Sequence, residues 1–566
     1  MSRRPHWSWA CLVLMLGAAT LVMYLEARGM TFRRDDWNMI LTRRGHSLEV
    51  FLRPHSGHLL PLHVLAYKGL LETFGLRSYV PYQALAFGLH ALVATLLFVY
   101  ARARVGPLAA LAVTAVFVIP GAAVHDVLWP FQIGFLTSLA AGLGMLLALE
   151  RDDGRGDAAA SGLLLVAIVS SAVGLAIAAG AVVELVALRA RRRRFARVLA
   201  VPLGLFGLWY VLYAGEVPPG TAPATEPDLA QPLIDNLLDA PRYVFDTAGA
   251  ALSNTVGLGP SVGPVLALAA TVLVGHRLVS GRVLSTRLRT VLALAVTYWG
   301  LLALARAQLN DPAQVRYLYP SVLFVLLVVV EWARGLRLAR PGHAVLALAT
   351  TAIVLINIGQ LRNEADILLR DASDILPRLT ALELSRGSVA ADFRPSPPPH
   401  GSAPDVVAGA YFAAIDDFGS PAPSPDELLR APEELRAVAD ATLLQANGIR
   451  ISTGAGGRAG GPPPTVIAVE GAQAQTRGGC VALAPATFPA SVEVRADGPG
   501  LALEIEAGGA VNLHARRLAD GFVGPPFATL AGDQRAVLEL PDARLARPWH
   551  VKVEAGQRVR VCGLAG

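Results

Sequence analysis

The sequence predicts an α-helical, polytopic membrane protein of about eleven spans, followed by an α+β tail that ends in a small β-sandwich. Three observations carry this reading. Of 566 residues, 54% are hydrophobic and only 16% charged, whereas a soluble domain carries roughly a quarter charged residues. Before position 360 the apolar residues crowd into long runs, and a helix needs about 17 to 25 such residues to cross hydrocarbon. After that position the runs give way to linkers and then to short segments alternating with period two.

The spans are predicted near 9–27, 80–101, 107–123, 130–149, 159–172, 174–188, 198–214, 258–277, 289–306, 315–333 and 343–360. Met1-Ser2-Arg3-Arg4 ahead of the first run resembles a signal sequence, but Leu25-Glu26-Ala27-Arg28 is a poor small-residue cleavage site, so the run reads as an uncleaved first helix. The long loop after it carries apolar residues at helical spacing over Asp35 to Phe51 and Leu59 to Phe74, the pattern of helices lying on a membrane surface. The fifth and sixth runs are short and read as a broken hairpin around Ser170-Ser171-Ala172-Val173-Gly174.

Charge fixes the expected orientation. The net charge is +6, but the arginines do not form a nucleic-acid patch. They gather at span ends, in the block Arg189, Arg191 to Arg194 and Arg197 and in the loops at 102–106, 150–158, 278–288 and 334–342. Such clusters mark cytoplasmic loops. Alternation then places the N-terminus inside the cell and the loops 28–79, 124–129, 215–257 and 307–314 outside, together with everything after 361.

Within the tail, Leu361 to Ser388 is predicted helical, residues 394–399 form a proline-rich linker, and 405–450 show a second helical pattern. Residues 453–464 are rich in glycine and proline. From Thr465 onward, Ser491-Val492-Glu493-Val494-Arg495 and Val551-Lys552-Val553-Glu554 argue for strands of a sandwich. The expected division is therefore 1–360, 361–452 and 465–566. Cys480 and Cys562 bracket the sandwich and can pair in an oxidising compartment, whereas Cys11 lies in the first span.

Polar groups at a bilayer boundary are costly unless they face water or a ligand, and four clusters fall on the predicted outer side. Asp35 and Asp36, flanked by Arg34 and Trp37, can serve as a general base, a cation ligand or a helix N-terminus. His55-Ser56-Gly57-His58 follows. His55, His58 and His63 lack the alignment of a zinc site, because Gly57 and Pro61 interrupt the helix. His125-Asp126, with Trp129 and Gln132, pairs an imidazole with a carboxylate; a Trp-anchored interfacial loop explains it equally well. Arg316, Tyr317 and Tyr319 open the tenth span, and Arg306 ends the ninth. A guanidinium there suits bidentate phosphate binding, with snorkelling as the structural alternative. The chain has no P-loop, dinucleotide fingerprint, GxSxG elbow or CxxC, so nothing points to ATP or a nicotinamide.

The order of these pieces resembles the GT-C superfamily of integral-membrane glycosyltransferases, specifically its protein O-mannosyltransferase-like and related bacterial members. The resembling residues are Arg34-Asp35-Asp36-Trp37, Ser56-Gly57-His58-Leu59-Leu60-Pro61-Leu62 leading to Tyr67, Phe74-Gly75-Leu76 ahead of the span bearing His90, and Arg316-Tyr317-Leu318-Tyr319-Pro320. The resemblance covers roughly residues 1–360 and implies a polyprenyl-phosphate-linked sugar as donor and a cell-envelope glycan, lipid or protein as acceptor. It implies Asp35 as catalytic base and Asp36 as its partner or a contact to a divalent cation. Arg316, assisted by Tyr317, would stabilise the departing polyprenyl phosphate. His58, His125 and Asp126 would line the donor or acceptor pocket.

Two other readings stand beside it. A transporter or flippase of lipid-linked sugars would place ionisable residues at mid-membrane depth, and only Glu184 in the sixth run speaks for that. A non-catalytic envelope scaffold would use the tail to bind polymer.

Overall fold

The computed structural model describes residues 6–213, 230–280, 284–309, 311–395, 406–448, 450–453, 461–487, 489–496, 500–505, 509–531, 535–540 and 547–564. In chain order its α-helices are α1 (His6–Glu26), α2 (Asp35–Thr42), α3 (Leu48–Leu52), α4 (Pro61–Phe74), α5 (Val80–Val118), α6 (His125–Leu128), α7 (Ile133–Ala148), α8 (Gly154–Ile168) and α9 (Val173–Ala187). They continue with α10 (Arg192–Tyr213), α11 (Ala230–Thr255), α12 (Gly263–Val279), α13 (Thr286–Arg306), α14 (Val315–Trp332), α15 (Arg340–Leu384), α16 (Ala408–Phe418), α17 (Pro425–Leu429) and α18 (Glu433–Asn447).

Two compact units share these elements. The first comprises Met1–Met30, Arg43–Phe74 and Tyr79–Leu369; the second comprises Thr31–Thr42, Gly75–Ser78 and Arg370–Gly566. The division falls inside α15, nine residues beyond the boundary expected at 360. Residues 361–384 continue the last apolar run as one helix, because no proline or glycine interrupts the chain there before Pro377.

In the first unit every predicted apolar run lies in a helix. Eight helices among the described residues have the length and apolarity to cross a membrane, and α9 is a shorter apolar helix. Burial sorts them. The apolar windows of Pro130–Ala148 and Val315–Trp332 are 72% and 67% buried, whereas those of Pro260–Val279 and Arg340–Leu384 are 11% buried. Side chains such as Val211, Leu273, Val345 and Leu348 therefore face outward. Exposed apolar surface of that extent is costly in water and is matched by lipid.

The chain leaves helical geometry within α5 at Gly106 (φ 81°, ψ 173°), a conformation glycine adopts without steric cost. The predicted spans 80–101 and 107–123 are thus two helical legs. α8 and α9 have 15 residues each, or about 22 Å at 1.5 Å per residue, short of the hydrocarbon thickness.

One expectation is corrected here. Residues 215–257 read as an outer loop, but Ala230–Thr255 is a helix packed against α12, α13 and α14. Asp235, Asp239, Arg242 and Asp246 dilute its hydropathy, while its buried face carries Asn236, Tyr243, Thr247, Ala250 and Ala251. Backbones of α11 and α12 meet at Gly249 and Gly263, where a Cβ on Gly249 would lie 2.7 Å from the Gly263 carbonyl oxygen.

The second unit is built on two antiparallel sheets. Among the described residues there are eleven strands: β1 (Arg450–Thr453), β2 (Thr465–Glu470), β3 (Ala472–Arg477), β4 (Cys480–Pro485), β5 (Ala490–Ala496), β6 (Gly500–Ile505), β7 (Val511–Arg516), β8 (Ala528–Leu530), β9 (Arg535–Glu539), β10 (Trp549–Ala555) and β11 (Val559–Gly563). They form a six-stranded sheet ordered β1-β9-β6-β11-β4-β3 and a five-stranded sheet ordered β2-β5-β10-β7-β8. The two segments that carried the strand prediction are neighbours in the latter: β5 (Ala490–Ala496) and β10 (Trp549–Ala555) pair with Val551 opposite Val494 and Val553 opposite Val492. All four valines are fully buried, in a core shared with Leu501, Leu503, Leu538 and Val561 of the other sheet. Cys480 of β4 (Cys480–Pro485) and Cys562 of β11 lie opposite each other and form a disulfide.

α18 joins this core through Ala439 and Leu443, and Asp440 accepts the backbone N–H groups of Arg517, Leu518 and Ala519 at 2.9–3.0 Å. The linker readings at 394–399 and 453–464 fall mostly outside the described residues.

Candidate functional site

The first part of the site is a loop made rigid by one arginine. Arg43 is buried and donates to the carbonyls of Val50, Arg53 and Pro54 at 2.8–3.0 Å. This satisfies the C-terminal end of α3, whose last carbonyls have no helical partner. His55 and His58 then exchange backbone hydrogen bonds at 3.0 and 2.9 Å, closing a two-residue turn with positive φ at Ser56 (48°) and Gly57 (77°). That is the arrangement of a tight type I′ turn. The ring of His55 packs on Phe131, as does that of His63. His58 is exposed along with Ser56 and Gly57, whereas His55 is buried, and Arg306 and Arg316 are near enough to act on His58. The surrounding protein first, and then those two guanidiniums, hold its imidazole below its ordinary pKa of 6.5.

The second part is Asp126, in the single-turn α6. It is fully buried, and neither carboxylate oxygen has a hydrogen-bond partner among the described residues. Burial drives its pKa well above the ordinary value, with Arg316 pulling the other way. The hydroxyl of Tyr298 on α13 is likewise buried without a hydrogen-bond partner and lies within electrostatic reach of Asp126, Tyr317 and Arg316. Unsatisfied buried polar groups are rare and each needs a reason. Two of them beside an arginine describe a place where a polar ligand or water belongs.

The third part is the α13–α14 connection. The guanidinium of Arg316 stacks on Tyr317 at 5.1 Å, and that of Arg306 approaches the same ring at 5.5 Å. Arg316 Nε donates to Gln314 Oε1 at 3.0 Å. Neither arginine has a carboxylate within ion-pair distance among the described residues. α11 holds the connection in place: Asn236 donates to the Leu304 carbonyl and accepts the Gln308 N–H, and Tyr243 donates to the Asp311 carbonyl. Tyr243 is also close enough to both arginines to sense their charge.

Of the residues singled out from the sequence, His58, Asp126, Arg306, Arg316 and Tyr317 come together. His125 is oriented elsewhere, its Nδ1 lying 3.6 Å from Glu364 of α15. Gln132 is buried in the turn before α7. Tyr319 is fully buried and its hydroxyl meets His90 Nδ1 at 2.7 Å, so it ties α14 to α5 rather than lining open space. Tyr298, Tyr243 and Asn236 escaped the sequence reading. A tyrosine inside an apolar run was the available signal for Tyr298.

Asp35 and Asp36 belong to the second unit. Asp36 is fully buried and accepts the Arg33 N–H at 3.0 Å, which ties the chain ahead of α2 to its first turn. Arg33 pairs with Asp371, and Trp37 donates to the Phe32 carbonyl and packs its ring on Tyr411. These contacts explain why the segment 31–42 packs with the tail. Asp35, one residue earlier on α2, is half-buried.

Glu184, the residue that spoke for a transporter, is paired with Arg287 at 3.3 Å and accepts from Thr290. No group of three His, Cys, Asp or Glu side chains among the described residues is placed to hold a metal ion.

Two histidines near the site give it an acid-sensitive fold. Burial depresses His55 to about 4 and His63 to about 3. A depressed folded-state pKa contributes stability that is complete above pH 6.5 and is lost as the pH falls toward those values. At 1.36 kcal/mol per unit the loss is on the order of 3 kcal/mol per histidine. The unfolding temperature of the detergent-solubilised protein is therefore expected to fall between pH 6.5 and 4, and His63→Phe to flatten that slope. A wild-type unfolding temperature that stays level over this range contradicts the assignment.

No protein-family model matches the chain, and a search of curated proteins returns no match.

Proposed function

We propose that this chain is an integral-membrane glycosyltransferase that moves a sugar from a polyprenyl-phosphate carrier to a hydroxyl of a cell-envelope acceptor. The observation that carries the reading is the pair Arg306 and Arg316, flanking Tyr317 without a carboxylate partner among the described residues, with Arg316 within electrostatic reach of the buried Asp126, whose carboxylate oxygens have no hydrogen-bond partner there. In such a transfer the acceptor oxygen bonds to the anomeric carbon as the carbon–oxygen bond to the carrier phosphate breaks. The phosphate leaves with the bonding electrons and gains negative charge, and a carboxylate takes the acceptor's proton. Guanidiniums at the phosphate act most strongly on that developing charge. The base is Asp35 by the resemblance to GT-C enzymes, and Asp126 is the second carboxyl to test.

The reading includes a membrane domain of about eleven spans with a cytoplasmic N-terminus and an extracytoplasmic tail. The arginine clusters at span ends support it, as does the disulfide, which suits an oxidising compartment. Glu184, the residue that speaks for the flippase alternative, is paired with Arg287.

The test uses the purified full-length chain, a polyprenyl phosphate carrying a radiolabelled sugar, and a cell-envelope fraction as acceptor. Labelled acceptor and free polyprenyl phosphate are expected in equal amounts, with no transfer from a nucleotide sugar. Absence of polyprenyl-phosphate release overturns the reading.

A further inference from the structure

A second polar assembly occupies the other end of α13 and α14. Arg287 begins α13 and Arg306 ends it, 19 residues apart and hence about 28 Å at 1.5 Å per residue, close to the thickness of a hydrocarbon layer. Around Arg287 lies a cavity of about 1300 Å³, lined by eight arginines and five carboxylates, a surplus of three positive charges. Some of these arginines are structural. Arg104 pairs with Glu331 and with Glu150 at 2.6 Å, and Arg194 pairs with Asp157 at 2.8 Å and Asp152 at 3.0 Å. Others keep donors that no carboxylate engages. Arg189, Arg191 and Arg193 are exposed and make no ion pair among the described residues. Arg287 is buried (6% exposed) and lines the cavity; its Nη2 lies 3.3 Å from Glu184 and 3.8 Å from Glu150, and its Nη1 has no acceptor among the described residues. A buried guanidinium nitrogen without an acceptor is expensive, and the fork geometry of arginine matches phosphate oxygens.

We propose that this cavity is a second binding site, for the phosphate group of an anionic ligand. The cavity is lined by residues at the ends of the membrane-length helices α10, α13 and α14. That is the depth at which lipid headgroups lie, and basic recesses between spans take acidic headgroups. A soluble phosphate entering from the aqueous side presents the same chemistry. The paired arginines hold the walls, while Arg287 through its Nη1 and the exposed Arg189, Arg191 and Arg193 supply free donors. The proposal is independent of the sugar-transfer reading, since it uses none of that site's residues.

The experiment titrates the full-length chain in neutral detergent with dihexanoyl phosphatidylglycerol, dihexanoyl phosphatidylcholine and inorganic phosphate, measuring bound ligand by native mass spectrometry. Phosphatidylglycerol is expected to bind at least tenfold more tightly than phosphatidylcholine. Arg287→Gln is expected to weaken it tenfold or more. If that buried change prevents folding, the exposed double substitution Arg191→Gln/Arg193→Gln decides, with a loss of at least threefold. Lipid binding that inorganic phosphate fails to displace assigns the site to a headgroup. Phosphate binding that the same variants abolish assigns it to a soluble anion. Equal binding of the two lipids with no phosphate binding, or variants that bind like wild type, overturns the proposal. So does a signal lost in Arg316→Gln but kept in Arg287→Gln.

Discussion

Asp35→Asn is expected to reduce sugar transfer by 10³-fold or more while leaving the protein folded. The substitution keeps the shape of the side chain and removes its basicity, and a positioned general base contributes about 10² to 10⁴ in rate. Asp35 is half-buried at the first turn of α2, and Asp36 accepts the Arg33 N–H. An unfolding temperature within a few degrees of wild type is the control that separates lost basicity from lost fold. Asp126→Asn is the matched comparison. If Asp35→Asn transfers at the wild-type rate and Asp126→Asn does not, the base is Asp126 and the phosphate end of the proposal stands. If both variants transfer normally, the sugar-transfer reading has lost its acid–base chemistry.

Arg316→Gln is expected to lower transfer by about 10²- to 10³-fold, the usual cost of removing one preorganised group from a developing charge. The loss should fall mainly on kcat, because the phosphate carries more charge as it leaves than when bound. Arg306→Gln should cost less, since Arg306 sits farther from the Tyr317 ring (5.5 Å against 5.1 Å). Arg316→Lys separates the two uses of the side chain. It keeps the charge and loses the planar fork, so a partial rescue assigns the effect to charge, and none assigns it to bidentate geometry. An Arg316→Gln enzyme with unchanged kcat and KM removes the leaving-group role.

Much of the architecture was legible in the chain. Long apolar runs have few alternatives to helix, and each one became a helix. The alternation in Ser491 to Arg495 and Val551 to Glu554 placed Val492, Val494, Val551 and Val553 on one face, and that face is the sandwich core. What escaped did so for identifiable reasons. α11 was hidden because four charged residues on its outer side lower its average hydropathy, although its inner side is packed. Tyr298 was hidden because a lone hydroxyl in an apolar run looks like core until its partners are known.

The candidate site was legible only in part. Arg316, Tyr317, Arg306, His58 and Asp126 were identified from their position at span ends, and packing brings them together. The same argument nominated Tyr319 and His125, whose polar atoms face His90 and Glu364 instead. Position along a helix does not say which way a side chain points, and a rotation of one residue is about 100°.

The sequence by itself determined that this is a helical, lipid-facing assembly followed by a two-sheet domain, because solvent preference and backbone periodicity are local properties of the chain. Only the tertiary structure decided that Asp35 and Asp36 pack with the tail through Trp37 and Tyr411, and that Asp126 is buried with no hydrogen-bond partner. It also decided that Arg287 lines a basic cavity. Those facts depend on which distant residues meet, and pairings across hundreds of residues leave no periodic trace in the chain.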